Sequence, residues 1–361
     1  MSYRFKRIAV KIGSNVLTRK DGTLDITRMS ALSDQVAELH KAGVEVILIS
    51  SGAVASGRSE LKINRKLDSV SSRQLFSAVG QAKMINRYYE LFRDHGIACG
   101  QVLTTKENFS TRRHYLNQKN CMEVMLDEKV IPIVNENDTI SVTELMFTDN
   151  DELSGLIATM MGADVLIILS NINGIYTGNP ADPDSEVIRE IAPGRQDISS
   201  FIQTSKSSFG RGGMITKYNI ARKVAEEGIE VVIANGKTDD ILIKLLRKGS
   251  SQVCTRFLPS DKPVSSIKKW IAHSDGFAKG ELHLNEGATE VIRGEKAVSI
   301  LPVGVTAVNG DFEADDIVLI FGSDGTQLGV GKISVDSETA RQQTGVKGAK
   351  PFVHYDYLYL D

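Results

Sequence analysis

Two lysines far apart in the chain, Lys11 and Lys217, each stand beside glycine-rich sequence of the kind that holds phosphate. Lys11 lies in the apolar run RIAVKI and is followed by Gly13 and Ser14. A charged side chain among Ile8, Val10 and Ile12 needs an anionic partner, because an unpaired ammonium is costly away from water. Lys217 lies one turn inside a helix that begins at Gly210-Arg211-Gly212-Gly213, where bare backbone N–H groups can approach phosphate oxygens. Asp149-Asn150-Asp151 opens another helix; one acid would serve as its cap, and Asp151 is placed to bridge the two lysines.

Two further clusters complete the set. Ser51-Gly52-Ala53 follows VEVILIS, so Gly52 can present its N–H near the point where Gly13 emerges. Asn135-Glu136-Asn137-Asp138 follows VIPIV and combines groups that accept from an ammonium with groups that donate to a carboxylate, as an amino-acid substrate requires. The chemistry these residues suit is phosphoryl transfer from ATP to a carboxylate. Such an acceptor, with an ordinary pKa of about 4.3, is ionised at neutral pH and needs no general base. The obstacle is repulsion between two anions, which lysines, backbone N–H groups and a Mg2+ ion bridging the phosphates relieve. None of the six histidines is assigned a part, and no residue is assigned as a metal ligand.

The elements that must position these residues alternate strand and helix through the first two-thirds of the chain. Strands are expected at Arg7 to Ile12, VEVILIS, IACGQVL, VIPIV, ADVLIILS and IEVVIANG, the last completing the sheet. Helical stripes run through Met29, Leu32, Val36 and Leu39, and through Leu75, Val79, Ala82, Ile85, Tyr89 and Phe92. This pattern predicts a three-layer αβα sandwich with a mostly parallel sheet and ligands at the carboxyl ends of its strands. Toward the C-terminus, short β-like runs separated by Gly, Asp and Asn predict a small barrel. The division expected is residues 1–258 for the α/β domain, 259–276 for a linker and 277–361 for the barrel.

Composition excludes several classes. With 361 residues and a formal net charge of −2, nothing global favours a polyanion or an acidic membrane surface. Cys99, Cys121 and Cys254 are widely spaced and lack a C-x-x-C pair, no apolar run is long enough to cross a membrane, and MSYRFKRIAV lacks a signal-peptide core. A cytoplasmic, soluble protein is expected. P-loop, dinucleotide, zinc-hydrolase and nucleophile-elbow motifs are absent.

Taken together, KIGSNVLT, SSGAVASGR, AVGQAKM, VNENDTI, DNDELSG, NGIYTGNP and GRGGMITK resemble the amino-acid kinase family across essentially the whole chain, and within it the branch acting on the γ-carboxylate of L-glutamate at the start of proline synthesis. The resemblance implies that Lys11 and Lys217 contact the ATP phosphates and that Asp151 organises them. It implies that Ser51, Gly52, Asp138 and Asn150 bind glutamate. It assigns the nucleotide to Lys11, Gly13, Ser170, Asn171 and the stretch Arg211, Gly212, Gly213, Met214, Ile215, Thr216 and Lys217. The family usually carries Asp where Asn171 stands and Thr where Arg211 stands. It further implies a homo-oligomer, feedback inhibition by proline, and contact with the γ-glutamyl phosphate reductase that takes the product. The C-terminal segment resembles a PUA domain, a fold that binds RNA elsewhere. From Phe277 to Asp361, however, seven Lys and Arg face thirteen Asp and Glu, a balance of −6 that argues against RNA.

Overall fold

The computed structural model describes residues 3–61, 63, 67–109, 112–141, 147, 149–193, 213–261, 271, 278–294 and 298–360. β1 (Arg7–Ile12) occupies the middle of the larger sheet, flanked in parallel by β2 (Glu45–Ser50) and β5 (Val165–Ser170). β4 (Ile131–Glu136) and then β3 (Cys99–Thr104) extend it on one side, and β7 (Glu230–Asn235) on the other, all parallel. The sheet does not end at β7 as the sequence pattern suggested. β8 (Thr255–Phe257) adds antiparallel to β7, and β6 (Glu190–Ile191) pairs with β8, giving the order β3-β4-β2-β1-β5-β7-β8-β6. Both additions are too short to show an apolar period, so pairing rather than local pattern makes them strands.

The period of two along β1 decides where its lysine goes. Ile8, Val10 and Ile12 share one apolar cluster with α2 (Ile26–Lys41), α8 (Ile241–Leu246) and part of α4 (Ser69–Arg93). Ala9 and Lys11 therefore face the opposite side, where α6 (Asn150–Met161) packs on β1 and α7 (Met214–Glu226) packs on α6 and β7. The sheet is thus covered on both faces, as its continuously apolar strands require.

The face α4 buries corrects the periodic reading. Leu75 and Tyr89 are exposed, Tyr89 to 53%, while Phe76, Gly80, Gln81, Met84, Tyr88 and Phe92 turn inward. Close packing on α3 (Ala53–Glu60) sets this choice: a Cβ on Gly80 would lie 1.8 Å from the Ala53 carbonyl oxygen, and one on Gly57 would lie 1.8 Å from that of Phe76. Only glycine permits such an approach at both positions, and it brings Gln81 to the edge of the site.

The chain separates into two compact units, residues 1–106 with 117–263, and 264–361 with 107–116. Much of the linker expected at 259–276 lies outside the described residues. The second unit carries a five-stranded sheet of β9 (Gly280–Leu284), β10 (Val305–Gly310), β11 (Ile317–Phe321), β12 (Gln327–Lys332) and β13 (Leu358–Leu360), ordered β10-β9-β11-β12-β13. Leu282, Val318, Ile320, Ile333, Phe352 and Val353 form its core.

Candidate active site

The two lysines converge on one carboxylate. Lys11 Nζ lies 2.5 Å from Asp151 Oδ1, and Lys217 Nζ donates to Asp151 Oδ2 at 2.9 Å. Asp151 is fully buried, and Lys11 and Lys217 are only 5% and 8% exposed. Burial pushes the Asp151 carboxyl up, but the two ammonium groups outweigh it and hold the acid down to about 2. Each member comes from a different element: the sheet's central strand, the first turn of α6 and the first turn of α7. Gly13 sits against this cluster, since a Cβ there would lie 2.9 Å from the Leu169 carbonyl oxygen and 3.7 Å from Lys11 Nζ.

A cavity of about 970 Å³ opens above the cluster. At one end the N-terminus of α6 meets the ends of β2 and β4. Asn150 Nδ2 faces the Ser50 carbonyl at 3.2 Å, Ser51 Oγ at 3.0 Å and Asn135 Oδ1 at 2.9 Å, its two hydrogens shared among the three oxygens. Gly52 takes φ +109°, a left-handed conformation that favours glycine, and lets the chain turn from β2 into α3. Asp138 lines the same end and accepts from the Arg73 guanidinium, which also donates to Glu136 Oε2 at 2.7 Å. Glu136 Oε1 in turn accepts from Ser141 Oγ at 2.8 Å and from the Phe147 N–H at 2.9 Å.

At the other end the cavity is lined by Ser170 and Asn171, beyond β5, and by Gly213 and Met214 at the start of α7. Ile215 and Thr216 follow in that helix's first turn, half-buried and away from the lining. Arg211 and Gly212 lie outside the described residues. Sequence reasoning did not single out Arg73, Asn135, Glu136 or Asp149 as separate site residues. Glu136 stood in plain view within the polar run after β4, whereas Arg73 carries no local signal because its partners are 63 and 65 residues away.

Asp149 caps α6, its Oδ1 accepting from the N–H groups of Asp151 at 2.8 Å and Glu152 at 3.1 Å. Its Oδ2 is buried without a hydrogen-bond partner among the described residues. Burial first, and the negative Asp151 second, push the Asp149 carboxyl up to about 6. A carboxylate raised above its unfolded value contributes stability at low pH that is lost as pH rises through the folded value. Asp149→Asn keeps the capping oxygen and removes the titration. Its stability relative to the wild type is therefore expected to climb by about 1–3 kcal/mol between pH 4.5 and 7.5. Denaturant melts across that range provide the check, and a flat difference would contradict the assignment.

The chain and its fold match known proteins. The model of the amino acid kinase family matches residues 6–235, and that of the PUA domain matches residues 280–352. The chain belongs to the amino acid kinase family. Within that family it is 71% identical to the glutamate 5-kinase of Bacteroides thetaiotaomicron, with all of both chains covered. It is 47% identical to the glutamate 5-kinase of Chlorobaculum tepidum, covering 99% of this chain and 98% of that one. Among solved structures, a carbamate kinase from Giardia lamblia bound to AMP-PNP aligns with a TM-score of 0.50 at 16% identity, over 71% of this chain and 99% of that one. The match shows the amino acid kinase fold.

Proposed function

We propose that this protein transfers the γ-phosphoryl group of ATP to the γ-carboxylate of L-glutamate, the first step of proline biosynthesis. The observation that carries this reading is the Lys11–Asp151–Lys217 cluster at the floor of a cavity whose opposite end is lined by amides and carboxylates. The glutamate carboxylate attacks the γ-phosphorus, a new O–P bond forms, and the bond to the β–γ bridging oxygen breaks with its electron pair leaving on ADP. Lys11 and Lys217 offset the negative charge of both anions as they approach, and Asp151 keeps the two ammonium groups a carboxylate's width apart. Gly13 and Gly213 leave backbone close to the phosphates. Ser51, Gly52, Asp138 and Asn150 hold the amino-acid end.

Magnesium fits as a companion of the nucleotide. No group of three His, Cys, Asp or Glu side chains capable of caging a metal occurs among the described residues, and Mg2+ favours phosphate oxygens and water over such cages. Bound with ATP, it neutralises the β- and γ-phosphate charge.

ADP release measured with glutamate, aspartate, acetylglutamate and carbamate tests the assignment. Turnover is expected with glutamate at least about a hundredfold above the others, because an unmatched charged group in this pocket leaves charge-assisted hydrogen bonds unmade. Equal or better use of another acid would replace the substrate. Proline, an amino acid lacking the γ-carboxylate, is read as an inhibitor at the amino-acid end of the cavity, and the enzyme as a cytoplasmic homo-oligomer that passes its labile acyl phosphate to the γ-glutamyl phosphate reductase. Free Cys99, Cys121 and Cys254 suit a reducing compartment, and no described helix is long and apolar enough to cross a membrane. The acidic C-terminal unit disfavours RNA as a ligand.

A further inference from the structure

Behind the amino-acid end of the cavity, three side-chain amides form a chain whose direction is fixed at one end. The Ser50 main-chain carbonyl can only accept, so the Asn150 group facing it must be the NH2. That same Nδ2 faces Asn135 at 2.9 Å, so Asn135 must present Oδ1. The Asn135 NH2 then points to Gln81 at 2.8 Å, and Gln81 must present Oε1. Gln81 Nε2 is left buried with no hydrogen-bond partner among the described residues, an arrangement that costs free energy, so the amide's contribution here is its accepting oxygen.

We propose that Gln81, which does not itself line the cavity, is a positioning residue that accepts from the Asn135 NH2, holds Asn135 Oδ1 toward Asn150, and so braces Asn150 in the orientation its Ser50 contact sets. With the chain running in this direction, Asn150 spends its NH2 on Ser50, Ser51 and Asn135, and its Oδ1 takes part in none of these bonds. That oxygen is an acceptor at the cavity. The only hydrogen-bond donor on glutamate at neutral pH is its α-ammonium, so Gln81 supports the grip on the ammonium indirectly, through Asn135 and Asn150. Without an acceptor at position 81, Asn135 could turn its NH2 toward the Asn150 NH2, and the two donors would repel each other and loosen Asn150. The inference rests on the glutamate reading above and extends it to a residue on α4.

Gln81→Met preserves shape and removes the acceptor, leaving the Asn135 NH2 without this partner and only Asn150 to orient Asn135. The KM for glutamate is expected to rise about tenfold, while the KM for ATP stays within about twofold. Competitive inhibition by glutarate, which has both carboxylates but no ammonium, should be unchanged. Gln81→Glu, whose carboxylate still accepts from Asn135, should bring the glutamate KM back to within about threefold of wild type. If Gln81→Met does not fold, Gln81→Leu is read in the same way. An unchanged glutamate KM, a glutarate inhibition constant that rises in step with it, or a Glu variant as impaired as the Met variant would overturn the proposal. Wild-type turnover of glutamate is established before any substitution, so failure of the substrate assignment is distinguished from failure of the Gln81 assignment.

Discussion

Lys217→Met is expected to lower kcat by about a thousandfold, the scale seen when one preorganised cation or donor is removed from a site of developing charge. The methionine fills the space of the lysine stem, so packing around α7 is retained. Asp151 keeps Lys11 at 2.5 Å and is not left as an unpaired buried charge. The loss should therefore fall on turnover and only weakly on folding. Asp151→Ala is different in kind. It leaves Lys11 and Lys217 facing each other in a buried site with nothing between them, and removing one partner from a buried ion cluster costs about 3–5 kcal/mol. That variant should lose both activity and thermal stability, with the stability loss largest near neutral pH. Asp151 is held down to about 2, below its unfolded value, so its stabilisation is present above about pH 4 and disappears as pH falls through 2. Steady-state kinetics beside thermal melts separate the two cases. A Lys217→Met enzyme within tenfold of wild-type kcat would remove this lysine from the reaction.

The parts of the site that could be read from the chain are those whose local pattern contains a contradiction. A lysine inside a buried strand, and a second acid where a helix cap needs one, each signal a partner, and the two signals together pointed to Asp151 as the bridge between Lys11 and Lys217. Gly52 was legible from its place where a strand turns into the next element, and the structure adds the left-handed conformation that favours glycine there. The inner face of α4 was not legible. Its apolar residues trace a plausible stripe through Leu75 and Tyr89, yet the helix turns Gly80 and Gln81 inward because α3 approaches backbone to backbone at Gly57 and Gly80. A polar Gln at a buried position carries no mark in sequence until its partner, Asn135, 54 residues away, is in place. Arg73 was hidden for the same reason, and β8 because three residues are too few to show a period.

Asp138→Ala is expected to raise the KM for glutamate about 10–100-fold, the range for losing a hydrogen bond to a charged group, with the KM for ATP nearly unchanged. The reason lies in how Arg73 divides its charge. Its guanidinium serves Glu136 and Asp138 together, but the two carboxylates have different work. Glu136 also accepts from Ser141 Oγ and the Phe147 N–H, so it anchors these two positions beyond β4. Asp138 lines the cavity, where its carboxylate can meet the substrate ammonium. Truncating Asp138 leaves Arg73 paired with Glu136 and those two positions anchored, so melting should change little. Arg73→Met instead leaves two mostly buried carboxylates side by side without their shared cation. Its expected cost is about 3–5 kcal/mol of stability, together with a loss of glutamate affinity at least as large as that of Asp138→Ala. Kinetics and melts on both variants test the division of labour. Should Asp138→Ala unfold as readily as Arg73→Met while its glutamate KM stays at the wild-type value, Asp138 would be an anchor like Glu136, and the ammonium would have to be held by Asn150 and its neighbours alone.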